Sequence, residues 1–123
     1  MDSLGAGAYT RPMEQRQLAN LWPVSALTLG GGGLGQLWGT TTRKECVATV
    51  RDAVDAGINL LDLAPLYGGG EAERVVGEAF AGKLPTGVRV TTKCLLANTL
   101  AGEIEAKLRT SLAQSLADLR LEH

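Results

Sequence analysis

Residues Ile58-Asn59-Leu60-Leu61-Asp62-Leu63 form a short, mostly apolar run without polar alternation, and a helix-like segment stands on either side of it. A run of this kind is expected where a strand is buried on both faces of a parallel sheet. Upstream, Thr42 and Glu45 have the spacing of a capping box, so a helix is predicted to start there. Val47, Val50 and Val54, with Cys46 and Ala53 beside them, form one apolar stripe that carries this helix to about Ala56. Gly57 stops it, because glycine tolerates the left-handed conformation of a helix terminus best. Downstream, Val75, Val76, Ala79 and Phe80 mark a second helix over 71–80, with acids in its first turn where the helix dipole favours them.

The same alternation extends in both directions. Met13–Leu18, the turn-like 19–23 and Val24–Leu29 read as a short hairpin leading into a first buried strand. After the connector 82–87, Val88-Arg89-Val90-Thr91-Thr92-Lys93 is β-branched enough for a third strand. Ile104, Leu108, Leu112, Leu116 and Leu119 then recur at three or four residues along a long amphipathic helix. Strands alternating with helices imply βαβ units on a parallel sheet, so the fold class is α/β. Two layouts satisfy this pattern, the doubly wound open sheet and the (β/α)8 barrel, and periodicity alone does not separate them.

Size and charge narrow the function. A chain of 123 residues allows one domain at most, and residues 1–12, rich in glycine and small side chains, read as a flexible tail ahead of a domain over 13–123. Twelve basic residues against 13 acidic ones leave no surplus to neutralise nucleic acid or an anionic membrane surface. Cys46 and Cys94 are far apart and not set among other metal ligands, so neither a disulfide framework nor a metal site is expected. No apolar stretch approaches the roughly 20 residues of a membrane span, and the first residues lack the pattern of a signal peptide. The expected compartment is the cytoplasm.

Two groups of residues could carry chemistry. Gly30-Gly31-Gly32-Gly33-Leu34-Gly35 satisfies G-x-G-x-x-G, which raises the alternative of a Rossmann-type dinucleotide-binding module. In that fold the glycines open the helix whose N-terminus meets the pyrophosphate, whereas here the cap at Thr42 comes seven residues after Gly35. A plain glycine-rich turn that lets backbone approach a ligand is the competing reading.

The second group is Asp62, Tyr67 and Lys93. Asp62 and Lys93 each end a predicted strand and Tyr67 lies in the loop after Asp62, so parallel strands bring all three to one edge of the sheet. A phenol is a poor acid near neutral pH, with an ordinary pKa of about 10, and an ammonium beside it stabilises the phenolate. An acid, a cation and an anion to hold the cation suffice to protonate a carbonyl oxygen as hydride reaches the carbon. Taken singly, each residue also has a plain role: Asp62 as a turn cap, Tyr67 as a half-buried loop aromatic, Lys93 as a solvated strand end.

Here the sequence resembles the aldo-keto reductase family. Residues 56–73, AGINLLDLAPLYGGGEAE, match its pattern G-x-N-x-x-D-T-A-x-x-Y-G-x-G-x-x-E, with the interval from Asp62 to Tyr67 preserved. Val90–Lys93 resembles the family's third strand, Val24–Leu27 with Leu29-Gly30 its first strand and following loop, and Ser111-Leu112 with Leu116–Leu119 its third helix. Leu63, where the family usually has Thr or Ser, and Gly31-Gly32, where Thr and a bulky residue are common, depart from the pattern without removing a catalytic group.

The resemblance implies part of a (β/α)8 barrel, an N-terminal hairpin plus about three βα units. It implies Tyr67 as proton donor tuned by Lys93 and Asp62, a carbonyl compound or its alcohol as substrate, and a nicotinamide lying against Asp62 and the Gly31-Gly32 backbone. NADP is the expected cofactor, with NAD also open. The family's catalytic His ends the fourth strand, whereas His123 falls in the connector before it and is not a candidate for that role. A full barrel takes about 250 residues. The expectation is therefore a truncated and inactive fragment, with a non-catalytic assembly element as a further alternative and the oligomeric state unread.

Overall fold

The computed structural model describes residues 11–123, so the expected tail falls outside the described residues except for Arg11 and Pro12. Strands β1 (Gln15–Arg16) and β2 (Val24–Ser25) pair antiparallel as the predicted hairpin. The chain continues through β3 (Leu29–Gly30), α1 (Arg43–Asp55), β4 (Leu60–Asp62), α2 (Glu71–Phe80), β5 (Arg89–Thr91), a 3₁₀ turn at Ala101–Glu103 and α3 (Ile104–Leu119). The segment Val24–Leu29 is therefore not one strand. Val24–Ser25 closes the hairpin, and only Leu29–Gly30 joins the parallel sheet.

Strands β3, β4 and β5 are parallel and adjacent in chain order. Three parallel strands in chain order are what a barrel uses, and one half of a doubly wound sheet has the same order. Register is set by alternation: Leu61 and Leu63 turn their side chains to the helices and are fully buried. They meet Val47 and Val50 of α1, Val75, Val76 and Ala79 of α2, and Leu119 of α3 in one core.

The helices begin and end for local reasons. Thr42 and Glu45 form the predicted capping box, each side chain bonded to the other's backbone. Gly57 follows α1 with φ +97°, as the expected stop requires. At the opposite end of the sheet from Asp62, Asn59 ties the hairpin to β4. Its carboxamide accepts from the Ser25 N–H at 2.8 Å and donates to the Pro23 carbonyl at 2.9 Å, while its own N–H donates to Ser25 Oγ at 3.0 Å.

One burial expectation is corrected. Strand β4 is fully buried on one face only, because Leu60 and Asp62 point to the inner face of the sheet and are half-buried there, whereas Leu61 points outward and is buried. The stripe of α3 is likewise open along most of its length. Leu119 is buried in the core shared with α2, yet Leu108 and Leu112 are 44% and 57% exposed. The helix exists as predicted and packs on α2.

This difference can be measured. Leu61→Ala leaves a cavity in a closed core and should cost about 2–5 kcal/mol in urea unfolding. Leu112→Ala, equal in the sequence pattern but open to solvent, should change stability by no more than about 0.5 kcal/mol.

Candidate active site

The register of the sheet builds the site. Gly30 of β3, Asp62 of β4 and Thr91 of β5 stand side by side at the C-terminal ends of their strands. The Thr91 hydroxyl donates to Asp62 Oδ1 at 3.0 Å, and the ladder runs one bond further, from the Leu63 N–H to the Thr91 carbonyl at 2.8 Å. Lys93 lies two residues beyond the last residue of β5 and not at its end, but alternation still returns it to the face of Thr91.

Lys93 Nζ is consequently held from three sides. It donates to Asp62 Oδ1 at 2.8 Å and to the Leu63 carbonyl at 2.8 Å, and it lies 3.5 Å from Tyr67 Oη. The hydrogen bond to Asp62 raises the Lys93 ammonium above the usual lysine range and holds the Asp62 carboxyl below the usual carboxylate range. Partial desolvation opposes both shifts.

Tyr67 is set by backbone as much as by its ring. Its N–H donates to the Ala64 carbonyl at 3.0 Å, and its own carbonyl accepts from the Ala72 N–H at 3.1 Å at the start of α2. Arg43 of α1 anchors that helix start through two bonds of 2.8 and 2.6 Å to Glu71. Gly35 lets the glycine-rich loop touch the other side: a Cβ there would collide with the carbonyl group of Tyr67. Loop and aromatic residue are thus packed backbone to backbone.

The sequence-derived residues separate at this point. Asp62, Tyr67 and Lys93 come together at the sheet edge. Gly31 comes with them, its N–H donating to the Asp62 carbonyl at 2.8 Å, and a Cβ on it would lie 2.6 Å from Leu63 Cδ2 and 3.2 Å from the Tyr67 ring. Gly32 is buried under the Trp38 indole, which a Cβ on it would meet at 2.5 Å. Residues Gly31–Gly35 form turns and the next helix is capped at Thr42, so the run offers no helix N-terminus to a pyrophosphate. The Rossmann-type alternative fails on that geometry. His123 is exposed beyond α3.

Sequence reasoning missed Thr91, the Leu63 carbonyl and Trp38. The first two follow from strand alternation and register, which needed the strand ends to the residue. Trp38 follows from no pattern; the residue is 81% exposed and its ring lies against Gly32. A cavity of about 390 Å³ opens beside Tyr67 and Lys93, walled by Ala64, Pro65, Leu66 and Leu95. A larger hollow, about 550 Å³ around Gly57–Asn59 and Pro85–Val88, lies at the other end of the sheet and contains none of the three groups.

The profile of the Aldo/keto reductase family matches residues 26–123. This chain belongs to that family. It is 34% identical over 114 residues to an L-galactose dehydrogenase of Arabidopsis thaliana, an alignment covering 90% of this chain and 36% of the plant protein. Among solved structures, a glycerol dehydrogenase of Gluconobacter oxydans matches with TM-score 0.64 and 30% identity over 93% of this chain and 37% of its own. An aldo-keto reductase of Klebsiella pneumoniae solved with NADPH matches with TM-score 0.67 and 29% identity over 82% of this chain and 33% of its own. The chain thus spans about a third of the length of these relatives. Among the described residues, no helix is long and apolar enough to cross a membrane.

The Asp62–Lys93 pair predicts a pH dependence. Because folding lowers the Asp62 value, its contribution to stability is complete above the unfolded carboxyl value of 3.8 and is lost as pH falls through the lower folded value. The two side chains are 44% and 50% exposed, so solvent screening holds the pair to about 0–1 kcal/mol. Urea titrations at neutral pH and near pH 3 should show this acid-side loss in the unaltered chain and a smaller one in Asp62→Asn.

Proposed function

We propose that this chain contributes the proton-donating side of an oxidoreductase site that transfers hydride between a nicotinamide dinucleotide and a small carbonyl compound. The observation that carries the reading is the line from Tyr67 Oη to Lys93 Nζ, 3.5 Å, and on to Asp62 Oδ1, 2.8 Å, on one rim of a parallel sheet. Family membership supports it, as does the fit to a relative solved with NADPH.

Tyr67 donates its phenolic proton to the oxygen of the carbonyl, which becomes the hydroxyl of the alcohol. The phenolate left behind sits beside the Lys93 ammonium, whose charge favours that anion. Asp62 keeps Lys93 charged and, with the Leu63 carbonyl, holds its Nζ in place. When bound, NADPH supplies the hydride to the carbonyl carbon; NADP is the assignment we favour, and NAD is the alternative.

The residues present suit the nicotinamide end of such a cofactor. Gly31 packs its backbone close against Leu63 and Tyr67, while a Cβ on Gly30, the strand neighbour of Asp62, would meet nothing within 4 Å, so the rim has room there for an aromatic amide ring. Asp62 and Gly31 would meet that ring. Gly32, under Trp38, would serve through the shape of the loop. The substrate would enter the 390 Å³ cavity, whose walls are mainly apolar around the phenol and the ammonium. A non-catalytic assembly role would leave no reason to suspend an ammonium between a carboxylate and a phenol at a cavity mouth.

The test is NADPH-dependent reduction of small aldehydes and ketones by the protein that carries this chain. Tyr67→Phe should lower kcat by at least about 10²-fold, the usual worth of a positioned general acid, while cofactor binding followed by fluorescence is preserved. Turnover retained in that variant would contradict the role given to Tyr67.

A further inference from the structure

Glu73 is the one fully buried carboxylate among the described residues, 1% exposed, and the reading above gives it no task. It occupies the third position of α2, on the face that packs against the outer side of the sheet. Its Oε1 accepts a hydrogen bond from Thr92 Oγ1 at 2.6 Å, within the roughly 2.5–2.7 Å range of hydroxyl-to-carboxylate bonds. Its Oε2 is buried with no hydrogen-bond partner. Burying a carboxyl group with one oxygen unpaired costs free energy that an apolar side chain of similar size would avoid. Packing alone therefore does not account for it.

What it grips explains it better. Thr92 stands between the two inward-facing residues that hold Asp62: Thr91, whose hydroxyl bonds Asp62 Oδ1, and Lys93, whose ammonium bonds the same oxygen. Alternation sends Thr92 to the opposite side, where its only side-chain bond is to Glu73. Past Thr91 the backbone is no longer in the strand, so the ladder does not set its path there. The Glu73–Thr92 bond is what ties this stretch to a rigid helix, the same helix whose first turn accepts the Tyr67 loop.

We propose that Glu73 is a positioning residue that acts through Thr92 to fix the Lys93 ammonium against Asp62 and Tyr67. The inference deepens the functional reading, because Lys93 matters as the neighbour of Tyr67. Helix α2 then serves as a common reference for both partners, Tyr67 through the Ala72 N–H and Lys93 through Glu73 and Thr92.

The test reads the Lys93 ammonium directly, without turnover. In the chain labelled with ¹⁵N-lysine at mildly acid pH, the Lys93 Nζ hydrogens should exchange slowly with water, the signal being assigned by its loss in Lys93→Arg. Thr92→Val and Glu73→Met, each removing one partner of the bond, should speed that exchange about tenfold, the effect of losing roughly one net hydrogen bond of restraint. Thr92→Ser, which keeps the hydroxyl, should restore slow exchange. Val75→Ala, on the same helix and fully buried, should lower stability yet leave Lys93 exchange unchanged, which separates positioning from general loosening.

Slow exchange retained in a folded Thr92→Val chain would overturn the proposal, and that variant decides the matter alone if Glu73→Met fails to fold. Equal acceleration in Val75→Ala would overturn it too. The predicted pattern in a protein that reduces no carbonyl would refute the functional reading and leave the role of Glu73 in place.

Discussion

The ion pair between Lys93 and Asp62 depends on parallel strand register more than on either residue's charge. Asp62 and Thr91 are opposite one another across β4 and β5, and Lys93, two residues on, returns to the same face. A shift of one residue would exchange the roles of Thr92 and Lys93 and send the ammonium toward the helices. The register is in turn enforced from the other face, where Leu61 and Leu63 are fully buried against α1 and α2. A hydrophobic constraint thus holds a polar site in place. The electrostatic energy of the half-exposed pair is too small to do so by itself.

The sheet is finished on one side and open on the other. Its outer face carries the core, with α1 and α2 packed over Leu61 and Leu63. Its inner face shows Leu60 and Asp62 partly exposed, and Leu108 and Leu112 of α3 are exposed as well. Chemistry is concentrated at the C-terminal rim of that inner face. The Asn59 side chain performs the complementary task at the other end, fastening the hairpin there through Pro23 and Ser25. The two ends of β4 thus divide the work between attachment and reactivity.

Much of this was legible in the sequence where a pattern has one physical meaning. The Thr42–Glu45 capping box placed the start of α1, and the spacing of Val75, Val76, Ala79 and Phe80 placed α2, because both depend on contacts within a few residues. The convergence of Asp62, Tyr67 and Lys93 followed from parallel topology. Long-range partners were less visible. Whether Val24 or Leu29 enters the parallel sheet depends on which neighbour each strand finds, and residue types do not state that. The stripe of α3 was legible as amphipathic, but amphipathicity reports what a helix can pack, whereas exposure reports what stands beside it. Glu73 reads as a favourable charge in a first helical turn, and only the path of Thr92 reveals it as a buried anchor.

The most direct measurement of the central claim is a high-resolution crystal structure of the chain with the β5 end and the Tyr67 loop clearly defined. The account predicts Asp62 opposite Thr91, Lys93 Nζ bonded to Asp62 Oδ1 and the Leu63 carbonyl, and Tyr67 Oη beside it at the 3.5 Å separation found here. Thr92 in register with Asp62, or a Tyr67 hydroxyl turned away from the ammonium, would contradict it.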